Sequence, residues 1–206
     1  MNDNNILAVI LAGGKSKRFG EDKNLAKLGS ISLIEHTIYK IREKFKKILI
    51  IANNDLKVEK FKDIEIIPDH IKGNLGPLVG VLTAMKWAKH SKENYKWIAT
   101  FPSDTPFFDS SIIEKYEKKI IKNDSPLYFV RSDDKRHNIF GLWSLDLLDI
   151  LEKDIVKNNF RKVEDWANKI GVKTINIKFK KFDPFLNINT KEDLIEAEKI
   201  LKNYKK

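Results

Sequence analysis

Apolar and polar positions fall in blocks along the chain, and the spacing within the blocks changes. Ile6 to Leu11 is an unbroken apolar run of strand length. Such a run predicts a central parallel strand covered on both faces. Ser32 and Glu35 have capping-box spacing, and Ile34, Ile38, Ile41 and Phe45 then recur with a helical period. Ile48 to Ala52 predicts a second buried strand, and Ile64 to Ile67 a short third. Pro77 suits the first turn of a helix that carries Leu78, Val81, Leu82, Met85 and Trp87. Trp97 to Phe101 predicts a fourth strand, and Ile112, Ile113, Tyr116 and Ile120 mark a further helix.

The second half is less regular. Leu127 to Arg131 and Ile139 to Trp143 predict strands, with helices around Leu145–Leu151 and Phe160–Ile170, the latter stopped by Gly171. Ile175, Ile177 and Phe179 alternate with Asn176 and Lys178, which predicts a half-exposed strand. Thr190 caps a last helix through Leu194, Ala197 and Leu201. Alternating strands and helices, without a repeat or linker, predict one Rossmann-like three-layer α/β domain over residues 1–206, with a mostly parallel central sheet. Its 206 residues suit one such domain, and 42% hydrophobic residues can build the core.

Ligands of such sheets bind beyond the carboxyl ends of the strands. The segments there are chemically rich. The first strand runs into Ala12-Gly13-Gly14-Lys15-Ser16-Lys17-Arg18-Phe19-Gly20, the second ends at Asn53-Asn54 and the third at Pro68-Asp69. The fourth leads into Pro102-Ser103-Asp104-Thr105-Pro106. Gly13 and Gly14 let the backbone approach a phosphate and offer N–H groups to an anion. Lys15, Lys17, Arg18 and Lys23 add four cations within nine residues. A flexible basic turn has the same composition. Gly14-Lys15-Ser16 does not complete a Walker A loop, because Val9 stands where that motif requires glycine. No Gly-x-Gly-x-x-Gly follows the strand, so a dinucleotide fingerprint is unsupported.

Composition removes several classes. The absence of cysteine excludes disulfides, thiolate metal sites and a cysteine nucleophile. No apolar run is long enough to span a bilayer, and the first residues lack a basic leader pattern, so a cytoplasmic protein with no membrane partner is expected. The net charge of +10 invites a nucleic-acid reading. The lysines are scattered, however, as at Lys115, Lys118 and Lys119, and no nucleic-acid partner is expected. A basic surface would still attract small anionic substrates.

Leu11-Ala12-Gly13-Gly14-Lys15-Ser16-Lys17-Arg18-Phe19-Gly20-Glu21-Asp22-Lys23 closely resembles the opening loop of molybdenum cofactor guanylyltransferases. The resemblance continues through Ile67-Pro68-Asp69, Gly76-Pro77-Leu78-x-Gly80, Pro102-Ser103-Asp104-Thr105-Pro106 and Phe185-Leu186-Asn187-Ile188-Asn189-Thr190. It spans nearly the whole chain. Two departures stand out: Phe19 replaces the usual methionine, and His137-Asn138 replaces a frequent His-Pro ahead of Gly141-Leu142.

The resemblance implies a nucleotidyltransferase of GTP. A phosphate of molybdenum-molybdopterin would attack the α-phosphorus, releasing pyrophosphate and forming a guanine dinucleotide. Lys23, Arg18 and Asp104 would carry catalysis, with Mg²⁺ held by Asp104. Leu11, Ala12, Gly13, Gly14, Lys23, Asn53, Asp69 and Asp104 would bind the nucleotide. Gly76, Gly80, His137, Asn187 and Asn189 would line the acceptor side. GTP and molybdenum-molybdopterin are the expected substrates, and the metal-insertion enzyme of the same pathway is a candidate partner. Other readings stay open at this level. Asp104 also suits a turn, His137 a structural role, and Thr190 only a cap. A cytidylyltransferase, a sugar-nucleotide pyrophosphorylase or a non-catalytic nucleotide-binding homologue would share the first loop.

Overall fold

The computed structural model describes residues 5–14, 19, 23–56, 58, 61–73, 75–179 and 182–204. Nine strands are present among them: β1 (Ile6–Leu11), β2 (Lys27–Leu28), β3 (Ile31–Ser32), β4 (Ile48–Ile51), β5 (Ile64–Ile67), β6 (Trp97–Pro102), β7 (Leu127–Ser132), β8 (Lys135–Ser144) and β9 (Lys173–Ile177). The α-helices are α1 (Leu33–Ile41), α2 (Pro77–His90), α3 (Ile112–Lys122), α4 (Leu148–Val156), α5 (Val163–Ile170) and α6 (Lys191–Tyr204).

Seven strands form the central sheet in the order β5-β4-β1-β6-β8-β7-β9, and β2 pairs with β3 in a separate hairpin. β8 is antiparallel to both its neighbours, and the other adjacent pairs are parallel. The alternation of side chains in β1 explains the layers. Ala8 and Ile10 join a core with Ile34 and Ile38 of α1 and Ile112 and Tyr116 of α3. Leu7 and Val9 point the other way, into a core with Leu78 and Leu82 of α2, Leu151 of α4 and Trp166 of α5. β1 is buried along Leu7 to Ile10, which is why its sequence is a continuous apolar run. The expected three-layer, mostly parallel α/β architecture is therefore present. A third cluster, with Phe19, Leu28, Leu33, Ile188 and Ala197, fastens α6 beside the small hairpin.

Several element boundaries differ from expectation. α1 ends at Ile41, and Phe45 instead packs against the core from the following turn. The Leu145–Leu151 helix is a short 3-10 turn that passes into α4. α5 starts at Val163, because Phe160 N–H is taken by Asp154 O at 3.0 Å and Lys162 is extended. Gly171 stops this helix with φ 86°, as the sequence suggested. Phe179 lies beyond the end of β9.

β8 has a shape that alternation alone does not reveal. Its pairing with β7 jumps from Phe129–Gly141 to Val130–His137, so Asn138, Ile139 and Phe140 bulge from the ladder. Buried Thr100 of β6 pins this bulge. Its hydroxyl donates to Ile139 O at 2.7 Å and accepts from Gly141 N–H at 3.2 Å and Trp143 Nε1–H at 2.9 Å.

Candidate active site

A cleft of about 830 Å³ opens beyond the carboxyl ends of β1, β4 and β6. One wall is made by Leu11, Gly13, Gly14, Lys23, Asp69 and Asp104; β8 and the start of α5 make the other. This is where a doubly wound sheet places its ligands, because the loops leaving adjacent strands diverge there.

Three residues far apart in sequence meet where Lys23 and Asp104 line the cleft. Lys23 Nζ is 2.5 Å from Asp104 Oδ2 and donates to Asn189 Oδ1 at 3.0 Å. The side chains of Lys23 and Asp104 are 14% and 13% exposed, so water screens this pair less than a surface pair. Ile188 N–H donates to Asp104 O at 2.9 Å. The segment before α6 is thereby stitched to the end of β6. Thr105 Oγ1 donates to Asn187 Oδ1 at 2.8 Å, which holds the other asparagine of this segment at the cleft. Thr190 Oγ1 accepts Asp193 N–H at 3.1 Å, and Asp193 Oδ2 accepts Thr190 N–H at 2.9 Å. Thr190 is thus a helix cap.

A buried pair beside Lys23 and Asp104 escaped sequence reasoning. Asn24, 2% exposed, donates to Ala12 O at 3.1 Å and accepts from Ser103 Oγ at 2.6 Å. Asn24 and Ser103 directly neighbour Lys23 and Asp104, so this bond fixes the separation of the two loops. Nothing in the sequence ties position 24 to position 103. Ala12 N–H donates to Ile51 O at 2.9 Å. Ala12 therefore braces the loop, and it is Gly13 and Gly14 that face the cleft.

Asp69 faces the cleft from the end of β5, and Asn53 stands behind it. Asn53 Nδ2 donates to Asp69 Oδ2 at 2.8 Å, and Asp69 N–H donates to Asn53 Oδ1 at 3.0 Å. Asn53 thus orients the carboxylate. An added Cβ at Gly13 or Gly80 would approach the Asp69 carboxylate to 3.6 or 3.7 Å, and at Gly80 would meet Leu11 Cδ2 at 3.0 Å. The glycines keep this corner narrow and flat. Gly76 has φ 94°, and a Cβ there would lie 3.3 Å from Arg161 O, so only glycine fits the bend into α2.

His137 lines the cleft yet is only 7% exposed. Its ring stacks on Phe185 at 4.3 Å and its Nε2 lies 2.6 Å from Ser132 Oγ. Burial lowers its pKa to about 4, outweighing the carboxylate of Asp183. It is neutral near pH 7, and its ring is packed between Phe185 and Ser132 at the edge of the cleft. Lys135, Arg136, Arg161 and Lys162 also line this second wall and were not singled out by motif. Arg18 lies outside the described residues.

Comparison with known proteins agrees with this geometry. A family model described as MobA-like NTP transferase domain matches residues 8–169. A protein of Rhizobium leguminosarum named molybdenum cofactor guanylyltransferase is 32% identical over 201 residues, covering 95% of this chain and 93% of its own. The crystal structure of molybdopterin-guanine dinucleotide biosynthesis protein A from Archaeoglobus fulgidus shares the fold, with TM-score 0.76, 24% identity, and 96% and 99% of the two chains covered. So does a manganese complex of Rv0371C from Mycobacterium tuberculosis, with TM-score 0.66, 13% identity, and 94% and 97% covered. With its strand-end cleft and a match over most of its length, the chain belongs to the MobA-like NTP transferase family and is a nucleotidyltransferase.

Proposed function

We propose that this protein transfers GMP from GTP to the phosphate of molybdenum-molybdopterin, forming molybdopterin guanine dinucleotide and releasing pyrophosphate. The observation that carries the reading is the meeting of Lys23, Asp104 and Asn189 beside the Gly13–Gly14 turn. Relatives named for this activity, such as that of Rhizobium leguminosarum, support it. The family match stops at residue 169, whereas Asn187 lines the cleft and Asn189 accepts from Lys23, which supports reading residues 1–206 as one domain.

In this reading the Gly13 and Gly14 N–H groups and Lys23 hold the triphosphate, and Arg18 grips phosphate oxygens bidentately. The Asp69 carboxylate, oriented by Asn53, accepts hydrogen bonds from the guanine N1–H and N2–H₂ donors. An acceptor phosphate oxygen forms the new bond to the α-phosphorus. The bond from that phosphorus to the bridging oxygen breaks, and pyrophosphate leaves with the electron pair. Such transfers need alignment and charge neutralisation more than covalent help. As negative charge builds on the leaving group, Lys23 is placed to follow it from its resting contact with Asp104.

The donors of this site suit a hard dication. Asp104 supplies a carboxylate, and Asn187 and Asn189 supply amide oxygens, while the ammonium of Lys23 already occupies a cation-attracting position. That pattern matches Mg²⁺, which binds through one or two carboxylates together with substrate phosphates and water. A fold neighbour in complex with manganese supports a divalent ion here. When bound by Asp104 and the asparagines, the ion would neutralise phosphate charge.

The test is to incubate the protein with Mg²⁺, molybdenum-molybdopterin and GTP, CTP or ATP, and to read the products by mass. Guanine dinucleotide and pyrophosphate are expected with GTP. A wrong base leaves the Asp69 carboxylate unpaired once the base has closed it off from water, at about 1–3 kcal/mol per acceptor. A dominant cytosine product would move the protein to the cytidylyl branch. Tight GTP binding without any product would overturn the reaction.

A further inference from the structure

Asn138 stands where the related pattern often has proline, and in this chain its Oδ1 accepts the Nε–H of Arg136 at 2.8 Å. Proline offers no such acceptor. Arg136 Nη1 also donates to Asn168 Oδ1 of α5 at 2.9 Å. Its Nη2 lies 3.6 Å from Glu164 Oε1, an ion pair too long for a hydrogen bond. The β8 bulge and α5 therefore set the plane of the guanidinium, while Nη2 makes no hydrogen bond among the described residues. Arg136 lines the cleft, and its side chain is 21% exposed.

Its neighbour Arg161 is committed differently. Arg161 Nη1 donates to Ile155 O and Phe160 O, each at 2.8 Å, and Nη2 donates to Asn159 Oδ1. That arginine holds its own loop. Together with Lys135 and Lys162 the wall carries four cations against one carboxylate, Glu164. The loops at the strand ends contribute Asp69 and Asp104 with Lys23 to the same cleft.

We propose that Arg136 is an acceptor-binding residue. Its guanidinium takes an anionic oxygen of a phosphomonoester acceptor, Asn138 and Asn168 preset its plane, and Glu164 is its partner while no acceptor is bound. The inference rests on the reading that the cleft admits a phosphate nucleophile opposite the nucleotide. An arginine fits this task because its planar fork is permanently charged and matches phosphate.

Arg136 as a plain brace between β8 and α5 predicts something different, which makes the two separable. If Arg136 is a brace, Glu164→Gln removes part of it and does nothing for the acceptor. If Arg136 is an anchor, Glu164→Gln removes a competitor and tightens acceptor binding. The measurement has two arms on the full-length chain, with thermal unfolding of every variant. In the first, turnover with GTP and molybdenum-molybdopterin gives separate KM values. Arg136→Gln should raise the acceptor KM about 10–100-fold, the scale of a charge-assisted hydrogen bond, and leave the GTP KM within about twofold. Asn138→Ala should shift the acceptor KM in the same direction, less strongly, and Glu164→Gln should lower it.

The second arm titrates a fluorescent pterin phosphomonoester into the same proteins without nucleotide. It separates failure of the reaction from failure of the anchor. A wild-type protein that makes no dinucleotide but loses pterin phosphate binding on Arg136→Gln keeps the anchor and loses the reaction. Equal pterin phosphate affinity in wild type and Arg136→Gln overturns the proposal. So does weakening by Glu164→Gln, or the absence of measurable binding by the wild type.

Discussion

Lys23 and Asp104 illustrate how a role is set by surroundings more than by residue type. A lysine on an exposed helix is a solvated charge; Lys23 instead sits 2.5 Å from a largely buried carboxylate at the end of β6. Preorganised charges of this kind act on charge that develops late, so their loss falls on the transition state. Lys23→Ala is expected to lower kcat by about 10²–10³-fold while GTP affinity changes much less; steady-state kinetics beside nucleotide titration checks this, and an affinity-only defect would make Lys23 a ground-state binder. His137 makes a prediction of the opposite kind. Its folded pKa, lowered to about 4 by burial, lies below the unfolded value near 6.5. A depressed histidine pKa means that the unfolded chain binds more protons, so stability is full above about pH 6.5 and is lost as pH falls towards 4. The stability gap between wild type and His137→Asn should shrink by an amount on the order of 3 kcal/mol between pH 7.5 and 4, read from denaturant unfolding at each pH; a constant gap would show that the ring is not held neutral. The resemblance of the first loop singled out Lys23 and that of Pro102-Ser103-Asp104-Thr105-Pro106 singled out Asp104, and the two side chains do meet. Asn24 and Ser103 were not singled out as a pair, because a hydrogen bond between positions 79 residues apart leaves no local pattern.

Elements were read well where burial imposes a period. β1, β4, α2 and α3 match expectation within a few residues, since two-sided burial forces continuous apolar runs and one-sided burial a helical stripe. β8 was read only in part, as Ile139 to Trp143, because its bulge breaks the alternation that defines a strand. That bulge depends on a position without a side chain. A Cβ at Gly141 would lie 2.4 Å from Trp143 Nε1 and 2.9 Å from Phe129 Cε1, inside the packed core. Gly141→Ala must displace Trp143 from its hydrogen bond to Thr100. The expected cost is about 1–3 kcal/mol for overpacking, before any penalty for an unpaired indole N–H. Thermal unfolding should show a clear drop in midpoint, and indole fluorescence a changed environment for Trp143. An unchanged midpoint would mean that the bulge tolerates movement and does not fix the second wall of the cleft.

Across the whole molecule the charge of +10 is spread, not focused. Many lysines and arginines are already partnered, as in Lys47–Glu65, Lys86–Glu152, Lys122–Asp124, Arg131–Asp134 and Lys169–Asp154. The concentrated field lies on the second wall of the cleft, where Lys135, Arg136, Arg161 and Lys162 face Glu164. A cleft wall with an excess of cations draws in small anions from a distance, and that attraction is screened over about 10 Å at 0.1 M salt. Steering acts on encounter and leaves the chemical step alone. Raising ionic strength from about 0.02 to 0.3 M should therefore lower kcat/KM for the anionic substrates several-fold, with kcat nearly constant. Duplex DNA meets the same molecule differently, since it needs an extended track of cations to displace its counterions. Binding to DNA should be no tighter than the micromolar nonspecific range at physiological salt, and should fall steeply as salt is added. Titrating a labelled duplex alongside the kinetic series measures both at once. A salt-insensitive kcat/KM would remove the steering role from the second wall. Sequence-selective DNA binding that survives physiological salt would give the basic surface a separate task.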